Sequence, residues 1–222
     1  MTAAPVIAID GPSASGKGTI AQLVADALGF HYLDSGALYR LVALAAQKSH
    51  IAFDSADDLA RIAGQLEACF EAGEIWLCGE RVTDQIRAEA VGEGASRVAA
   101  LPGVRAALLQ RQRDYRVSPG LVADGRDMGS LVFADAALKV FLTATAEARA
   151  ERRYKQLKQK GIPVNIAVLL VELRERDGRD AGRSVAPLVQ SPDARLLDST
   201  SLGIQEVAQL ILGWYRGVAT QR

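Results

Sequence analysis

A glycine-rich run ending in lysine, GPSASGKGT at residues 11–19, follows directly on the apolar stretch 6–9. A strand that feeds such a loop, with a helix behind it, constrains the chain more than any other pattern it carries. Backbone N–H groups have to turn toward one point without a Cβ in the way, and the helix adds its positive N-terminal end. The result is a phosphate cradle made of Gly11, Pro12, Ser13, Ala14, Ser15, Gly16, Lys17, Gly18 and Thr19, in which Lys17 supplies a mobile positive charge. The spacing fits the P-loop pattern GxxxxGK with one departure. Gly18 stands where most such loops have Ser or Thr, and the hydroxyl comes one residue later, at Thr19. Nucleotide binding is the expectation, because a loop that only turned the chain would leave the lysine and the apolar helical stripe after it unexplained.

Apolar runs at residues 6–9, 121–123, 138–142 and 195–197 are separated by long helical patterns. That alternation predicts a doubly wound α/β fold, a parallel sheet flanked by helices. Helical stripes are clear in Ile20, Leu23, Val24, Ala27 and Leu28, and again in Ile204, Val207, Leu210 and Ile211; Trp214 and Tyr215 read as anchors at the rim of the core. Residues 51–92 interrupt the alternation. A helix over 57–66 and two short strands, 66–71 and 74–78, joined by Ala72 and Gly73, predict an α plus antiparallel-hairpin insert suited to closing over a second substrate. A helical lid is expected over 146–183, with two helical stretches flanking Gly161, Ile162 and Pro163. The core is then 1–50 with 93–222. Gly178 and Gly182 predict a lid more mobile near its end than a continuous helix.

Composition narrows the setting. A chain of 222 residues buries a full core, and one α/β domain with appendages fits its size. Lys plus Arg and Asp plus Glu balance at 26 each, which gives no field for nucleic acid or an anionic membrane and, with no obvious apolar patch, predicts a monomer. No apolar stretch is long enough to span a bilayer and no signal pattern opens the chain, so a cytoplasmic setting is expected. Cys69 and Cys78 read as small strand residues, and two histidines, His31 and His50, do not make a metal centre.

The type of acceptor is written in the charges outside the loop. Phosphoryl transfer to an alcohol needs a base, whereas an acceptor phosphate is already anionic and instead demands cations to offset the repulsion between two polyanions. Arg40, Arg126 and seven arginines of the lid (Arg149, Arg152, Arg153, Arg174, Arg176, Arg179, Arg183) favour a phosphate acceptor, since the guanidinium fork meets phosphate with two bonds. Interleaved acids pair with some of these, and Lys155, Lys158 and Lys160 read as a solvated face. Asp124 ends the run LVAD, where a parallel sheet gathers its ligands, and is the acid expected to orient Mg²⁺ or its waters; Asp127 follows three residues on, so one acid can serve the metal and the other the acceptor.

The strings GPSASGKGT, LDSGALYR, ADGRDMGSLVFADAALKVFL, ARAERR, ERDGRDAGRSVAPL and LLDST, in that order, resemble bacterial cytidylate kinases across nearly the whole chain. GKGT is itself the loop ending of nucleoside monophosphate kinases. The resemblance implies transfer of the ATP γ-phosphate to CMP or dCMP with Mg²⁺ required. It implies that Lys17, Arg126, Arg176 and Asp124 serve the transfer, and that Mg²⁺ is reached by Thr19 and Asp124 only through water. Ser35, Arg105, Asp127 and Arg183 would surround cytosine, with Asp127 accepting from the exocyclic amine; Ser96, Arg176 and Asp180 would meet the sugar; Arg40 and Arg126 would hold the acceptor phosphate. Arg152 and Arg153 would lie near ATP. Ser35 and Ser130 replace the commoner Thr and keep the hydroxyl. Two other readings share the loop: a kinase of a small alcohol, with Asp34, Asp124 or Asp127 as base, and a nucleotide-dependent switch. The first leaves the arginines unexplained, and the second lacks an NKxD guanine signature.

Overall fold

A computed structural model describes residues 3–71 and 73–220. The elements run β1 (Val6–Asp10), α1 (Lys17–Leu28), β2 (His31–Asp34), α2 (Ser35–Lys48), α3 (Ala56–Gly64), β3 (Ala68–Glu71), β4 (Glu74–Leu77) and β5 (Glu80–Arg81). They continue with α4 (Glu89–Val98), α5 (Pro102–Asp114), β6 (Leu121–Gly125), β7 (Leu138–Thr143), α6 (Ala146–Gln159), α7 (Ile166–Ala181), β8 (Arg195–Asp198) and α8 (Ile204–Ala219). Contacts divide the chain into two compact units, one formed by the residues up to Leu33 with those from Tyr115 on, the other by Asp34–Asp114.

In the first unit β1 and β6 are buried at every position. Strands without a polar face belong in the middle of a sheet covered on both sides, and the five-stranded sheet has the order β2-β6-β1-β7-β8. β1 runs parallel to β6, from Val6 against Leu121 to Asp10 against Gly125, and parallel to β7; β7 runs parallel to β8. The stripe Ile20, Ala21, Val24 and Ala25 of α1 and the stripe Val207, Ala208, Ile211 and Leu212 of α8 are buried in one cluster with Ile7, Ile9, Val122, Val140 and Leu142. Each large apolar side chain buried this way contributes about 1.5–3 kcal/mol. Trp214 and Tyr215 pack against the cluster from its edge, and Tyr215 meets Phe30 edge-to-face with centroids 5.7 Å apart.

In the second unit α2, α3, α4 and α5 pack with one another beside a three-stranded sheet of order β3-β4-β5. This unit encloses the span 51–92 and extends well beyond it on both sides. Its sheet differs from the two-stranded hairpin expected. Cys78 leaves the strand at φ 50 and Gly79 follows at φ 78, a pair of left-handed residues that makes a tight turn and returns the chain as β5. Of the earlier hairpin connection, Gly73 has φ 79 and Ala72 lies outside the described residues. Cys69 and Cys78 are both exposed thiols.

Two other local features were not evident from the sequence pattern. β2, four residues with no alternation and only Leu33 buried, forms the outer strand next to β6 and was not foreseen. α7 is continuous through Gly178 and ends at Gly182. Side chains of its last two turns are tied down, Asp177 by Arg149 and Asp180 by Arg126 and Arg183, so the glycine does not break the helix.

The exit from β1 is the tightest point of the fold. A Cβ on Gly11 would lie 2.0 Å from the carbonyl oxygen of Leu142 in β7, whereas a Cβ on Gly213 in α8 would meet nothing within 4 Å. Gly11→Ala is therefore expected to cost at least about 3 kcal/mol in urea unfolding. Gly213→Ala is expected to gain about 0.5–1 kcal/mol. Equal midpoints for the two variants would contradict this packing.

Candidate functional site: a phosphate loop flanked by arginines

The loop 11–19 combines left-handed backbone at Ala14 (φ 59) and Gly16 (φ 89) with the start of α1. Alternating backbone hands of this kind turn successive N–H groups inward. Gly16 caps α1 without a side-chain hydrogen bond, and the first turn contains no acid, so nothing of the helix's own neutralises its positive end. The hydroxyls of Ser13 and Ser15 are buried and have no hydrogen-bond partner among the described residues. Buried hydroxyls left in that state cost free energy unless a ligand meets them, and a phosphate fits that role. Lys17 is 9% exposed, and its ammonium reaches back across the loop to the carbonyl of Pro12 at 3.1 Å.

The departure at position 18 has a steric reason. A Cβ there would stand 3.2 Å from Oδ2 of Asp124 and 3.4 Å from the hydroxyl of Tyr32. A side chain at this position would press on that carboxylate, which would have to give way by a few tenths of an ångström. Asp124 is 5% exposed at the end of β6, beside the loop as expected for an acid that orients a metal. Among the described residues no group of three or more His, Cys, Asp or Glu could hold a metal ion. One carboxylate beside a phosphate loop nonetheless suits Mg²⁺, which keeps waters and takes substrate phosphate oxygens as its other ligands.

Several arginines of the same unit have distinct partners. Arg126, Arg176 and Arg183 surround Asp180, which is 1% exposed; Nε of Arg126 donates to it at 2.7 Å and Arg183 donates to its other oxygen. Burial pushes the Asp180 carboxyl up, but Arg126, Arg183 and Arg176 together more than reverse this and hold it below the usual range. Arg152 donates to the carbonyl of Ser15 at 3.1 Å and to both the hydroxyl and the carbonyl of Ser199. Arg153 instead reaches Gln156 at 2.7 Å. Arg152 is thus set against the phosphate loop. Arg174 pairs with Glu147 and Lys155 with Glu151 on exposed helix surface, the solvated kind of pair.

Two residues without an individual assignment from the sequence are central here. Arg149, 4% exposed, donates to the Ser13 carbonyl at 3.1 Å, to the Ala144 carbonyl at 3.0 Å and to both oxygens of Asp177. In the sequence it was one arginine of seven; only burial separates it from the rest. Asp10 ends β1 and accepts from the amides of Met128 and Gly129, both at 2.8 Å. Burial pushes its carboxyl up to about 6, against the pull of those two amides; Asp127 adds to the rise and Lys17 opposes it. Asp10 adjoins the loop directly, which was the available signal, but the apolar run stops one residue short of it.

The remaining expected residues lie in the unit Asp34–Asp114. Ser35 opens α2, whose cap is Asp34 accepting from the Ala37 amide at 3.0 Å, and Ser35 itself is 3% exposed. Arg40 on α2 donates to the carbonyl of Ile86 at 2.6 Å and lies over Gly92 of α4, where a Cβ would come 2.9 Å from its Nη2. Ser96 on α4 is 2% exposed. Arg105 on α5, 6% exposed, donates to the Ala99 carbonyl and stacks over the Tyr39 ring at 5.6 Å. A buried arginine on a helix otherwise rich in surface residues is not a solvated charge.

This sheet, loop and acid define a P-loop nucleotide-binding protein. A family model described as cytidylate kinase matches residues 7–216. A cytidylate kinase of Chromobacterium violaceum is 59% identical over 211 residues, covering 95% of each chain. Cytidylate kinases of Burkholderia mallei (strain NCTC 10229) and Nitrosomonas europaea are 58% and 57% identical over 212 and 211 residues, covering 96% and 95% of this chain and 93% and 95% of theirs. The chain belongs to the cytidylate kinase family. A solved gluconokinase from Sinorhizobium meliloti 1021 aligns over 100% of this chain and 97% of its own at 15% identity and a TM-score of 0.49, a similarity that says nothing of activity.

The raised Asp10 carboxyl has a measurable consequence. A group whose folded pKa lies above its unfolded value binds more protons when folded, so its contribution to stability is lost as pH rises from the ordinary carboxyl value of 3.8 through about 6. Between about pH 4 and about pH 7 the unfolding free energy of the unmodified chain should fall relative to that of Asp10→Asn by about 2 kcal/mol. A pH-independent difference between the two would show that Asp10 is not buried as described.

Proposed function

We propose that the chain transfers the γ-phosphate of ATP to CMP or dCMP, giving ADP and CDP or dCDP, as a cytoplasmic monomer that requires Mg²⁺. Membership of the cytidylate kinase family over residues 7–216 is the observation that carries this reading. The chemistry of the loop and its arginines agrees with it. ATP phosphates would occupy the cradle of residues 11–19, held by backbone N–H groups, the Ser13 and Ser15 hydroxyls and Lys17. Bound with ATP, Mg²⁺ supplies charge neutralisation at the transferring phosphate; Asp124 and Thr19 would hold it through water.

The acceptor phosphate needs no base, so catalysis reduces to alignment and to offsetting charge. Arg40 and Arg126 would bind that phosphate, and Arg126, Arg176 and Lys17 would meet the charge shared between donor and acceptor. Asp180, kept ionised by the arginines around it, is an acceptor suited to a sugar hydroxyl, with Ser96 and Arg176 as its companions. Ser35, Arg105, Asp127 and Arg183 would surround the cytosine, and residues 51–92 would form the insert that receives the nucleoside monophosphate. Asp127 would accept from the exocyclic amine. Uracil presents a carbonyl there, and a buried acceptor facing an acceptor is strongly disfavoured. Arg152 would lie near the phosphates of ATP and Arg153 farther out along the lid.

An assay of ADP release with ATP, Mg²⁺ and a panel of CMP, dCMP, UMP, AMP, GMP, shikimate and gluconate tests this reading. Fast turnover is expected with CMP and dCMP, with kcat/KM for UMP at least about 100-fold lower. Asp127→Ala is expected to lower kcat/KM for CMP by about 100-fold or more. Turnover only with shikimate or gluconate, or only slow acceptor-independent hydrolysis, would contradict it.

A further inference from the structure

Ala14, at φ 59, carries a Cβ in a left-handed conformation that favours glycine, so contacts from outside the loop have to hold it there. Its amide shares a peptide plane with the Ser13 carbonyl, and the amide of Gly16, at φ 89, shares one with the Ser15 carbonyl. A trans peptide is planar, with the carbonyl and the N–H that follows it pointing in opposite directions. Whatever holds these two carbonyls therefore aims the two amides. Both are held from α6. Arg149 donates to the Ser13 carbonyl at 3.1 Å, and Arg152, three residues on along the same helix, donates to the Ser15 carbonyl at 3.1 Å. Arg149 is itself fixed on its other sides. Its Nε donates to the Ala144 carbonyl at 3.0 Å, Asp177 of α7 accepts from both of its terminal nitrogens, and only 4% of it is exposed. The Ser13 hydroxyl, by contrast, is buried with no partner among the described residues, which leaves it open to a phosphate.

On the reading of residues 11–19 as the cradle for the ATP phosphates, we infer that Arg149 is a positioning residue for that cradle: gripped by Asp177, it holds the Ser13 carbonyl outward and so aims the Ala14 amide at the phosphates. A flipped 13–14 peptide would set a carbonyl oxygen against an anion in place of an N–H. The donors of Arg149 go to backbone carbonyls and a carboxylate, so its part in ATP binding passes through the loop. Shape matters here as much as charge. A planar fork reaches Ser13 and Asp177 at once, which a lysine ammonium does not. Asp177 acts through Arg149, by fixing the plane of the guanidinium.

The test is calorimetric binding of ATP with Mg²⁺, of inorganic tripolyphosphate with Mg²⁺, and of CMP alone, to the full chain, Arg149→Lys, Asp177→Asn and the double variant, with thermal melting as a check on folding. Tripolyphosphate carries phosphates without base or sugar, so it reads the cradle by itself. Arg149→Lys is expected to weaken ATP and tripolyphosphate alike by about tenfold, and Asp177→Asn to weaken both by about threefold, with CMP affinity changed by less than about threefold. The double variant should bind ATP within about twofold of Arg149→Lys, because the effect of Asp177 passes through Arg149. If Arg149→Lys does not fold, Asp177→Asn carries the test, and unchanged binding of both probes overturns the inference. An Arg149→Lys chain that binds both probes as the unmodified chain does, that loses ATP but not tripolyphosphate, or that loses CMP equally, overturns the role of Arg149 alone. An unmodified chain that binds neither ATP nor tripolyphosphate overturns the reading of the loop, and the inference with it.

Discussion

β1 is buried at all five positions between two parallel neighbours, and the placement of the phosphate loop follows from that single constraint. Parallel strands deliver their C-terminal ends to one edge of a sheet, so the segments leaving β1, β6 and β7 must meet. The loop 11–19 leaves β1, Asp124 to Asp127 leave β6, and the chain from Thr143 to Arg149 leaves β7. Contacts across these exits hold them in register. Gly11 presses against the Leu142 carbonyl, Asp10 caps the turn after β6, and Arg149 grips the Ser13 carbonyl. A side chain at Gly11, or a lost carboxylate at Asp10, would disturb several of these segments at once.

The second constraint is electrostatic. A protein that joins two phosphorylated substrates has to offer more positive charge than either substrate alone would need, without paying for it by self-repulsion when they are absent. In this structure Asp180 draws Arg126, Arg176 and Arg183 around one buried carboxylate, which keeps the guanidinium groups together and oriented. Asp177 does the same for Arg149. Planar guanidinium groups can accept such a partner on one edge and present the other to phosphate, which a lysine ammonium does less well. The chain's overall balance of 26 basic and 26 acidic residues hides this local concentration.

The parallel sheet, the loop and its helix were legible because each rests on local pattern: an apolar run, glycines at fixed spacing, a helical stripe. Asp124 was legible for the same reason, standing where a recognisable strand ends. The elements missed lacked such a pattern. β2 has one buried side chain in four, and the turn into β5 uses Cys78 where Asn or Asp would have announced it. Arg149 and Asp10 were hidden because their importance lies in burial and in partners 28 to 136 positions away. Gly178 lies within a continuous helix whose last turns are held by contacts from other elements.

Transfer of one phosphate from ATP to the 5′-phosphate of CMP is the central claim, and its most direct measurement follows the atom itself. ATP carrying an isotopic label in the γ-phosphate would be incubated with CMP, Mg²⁺ and the protein, and the products separated and read by mass spectrometry. The account predicts that the label appears in the terminal phosphate of CDP, with one ADP formed for each CDP. Label recovered as inorganic phosphate, with CMP unchanged, would contradict it.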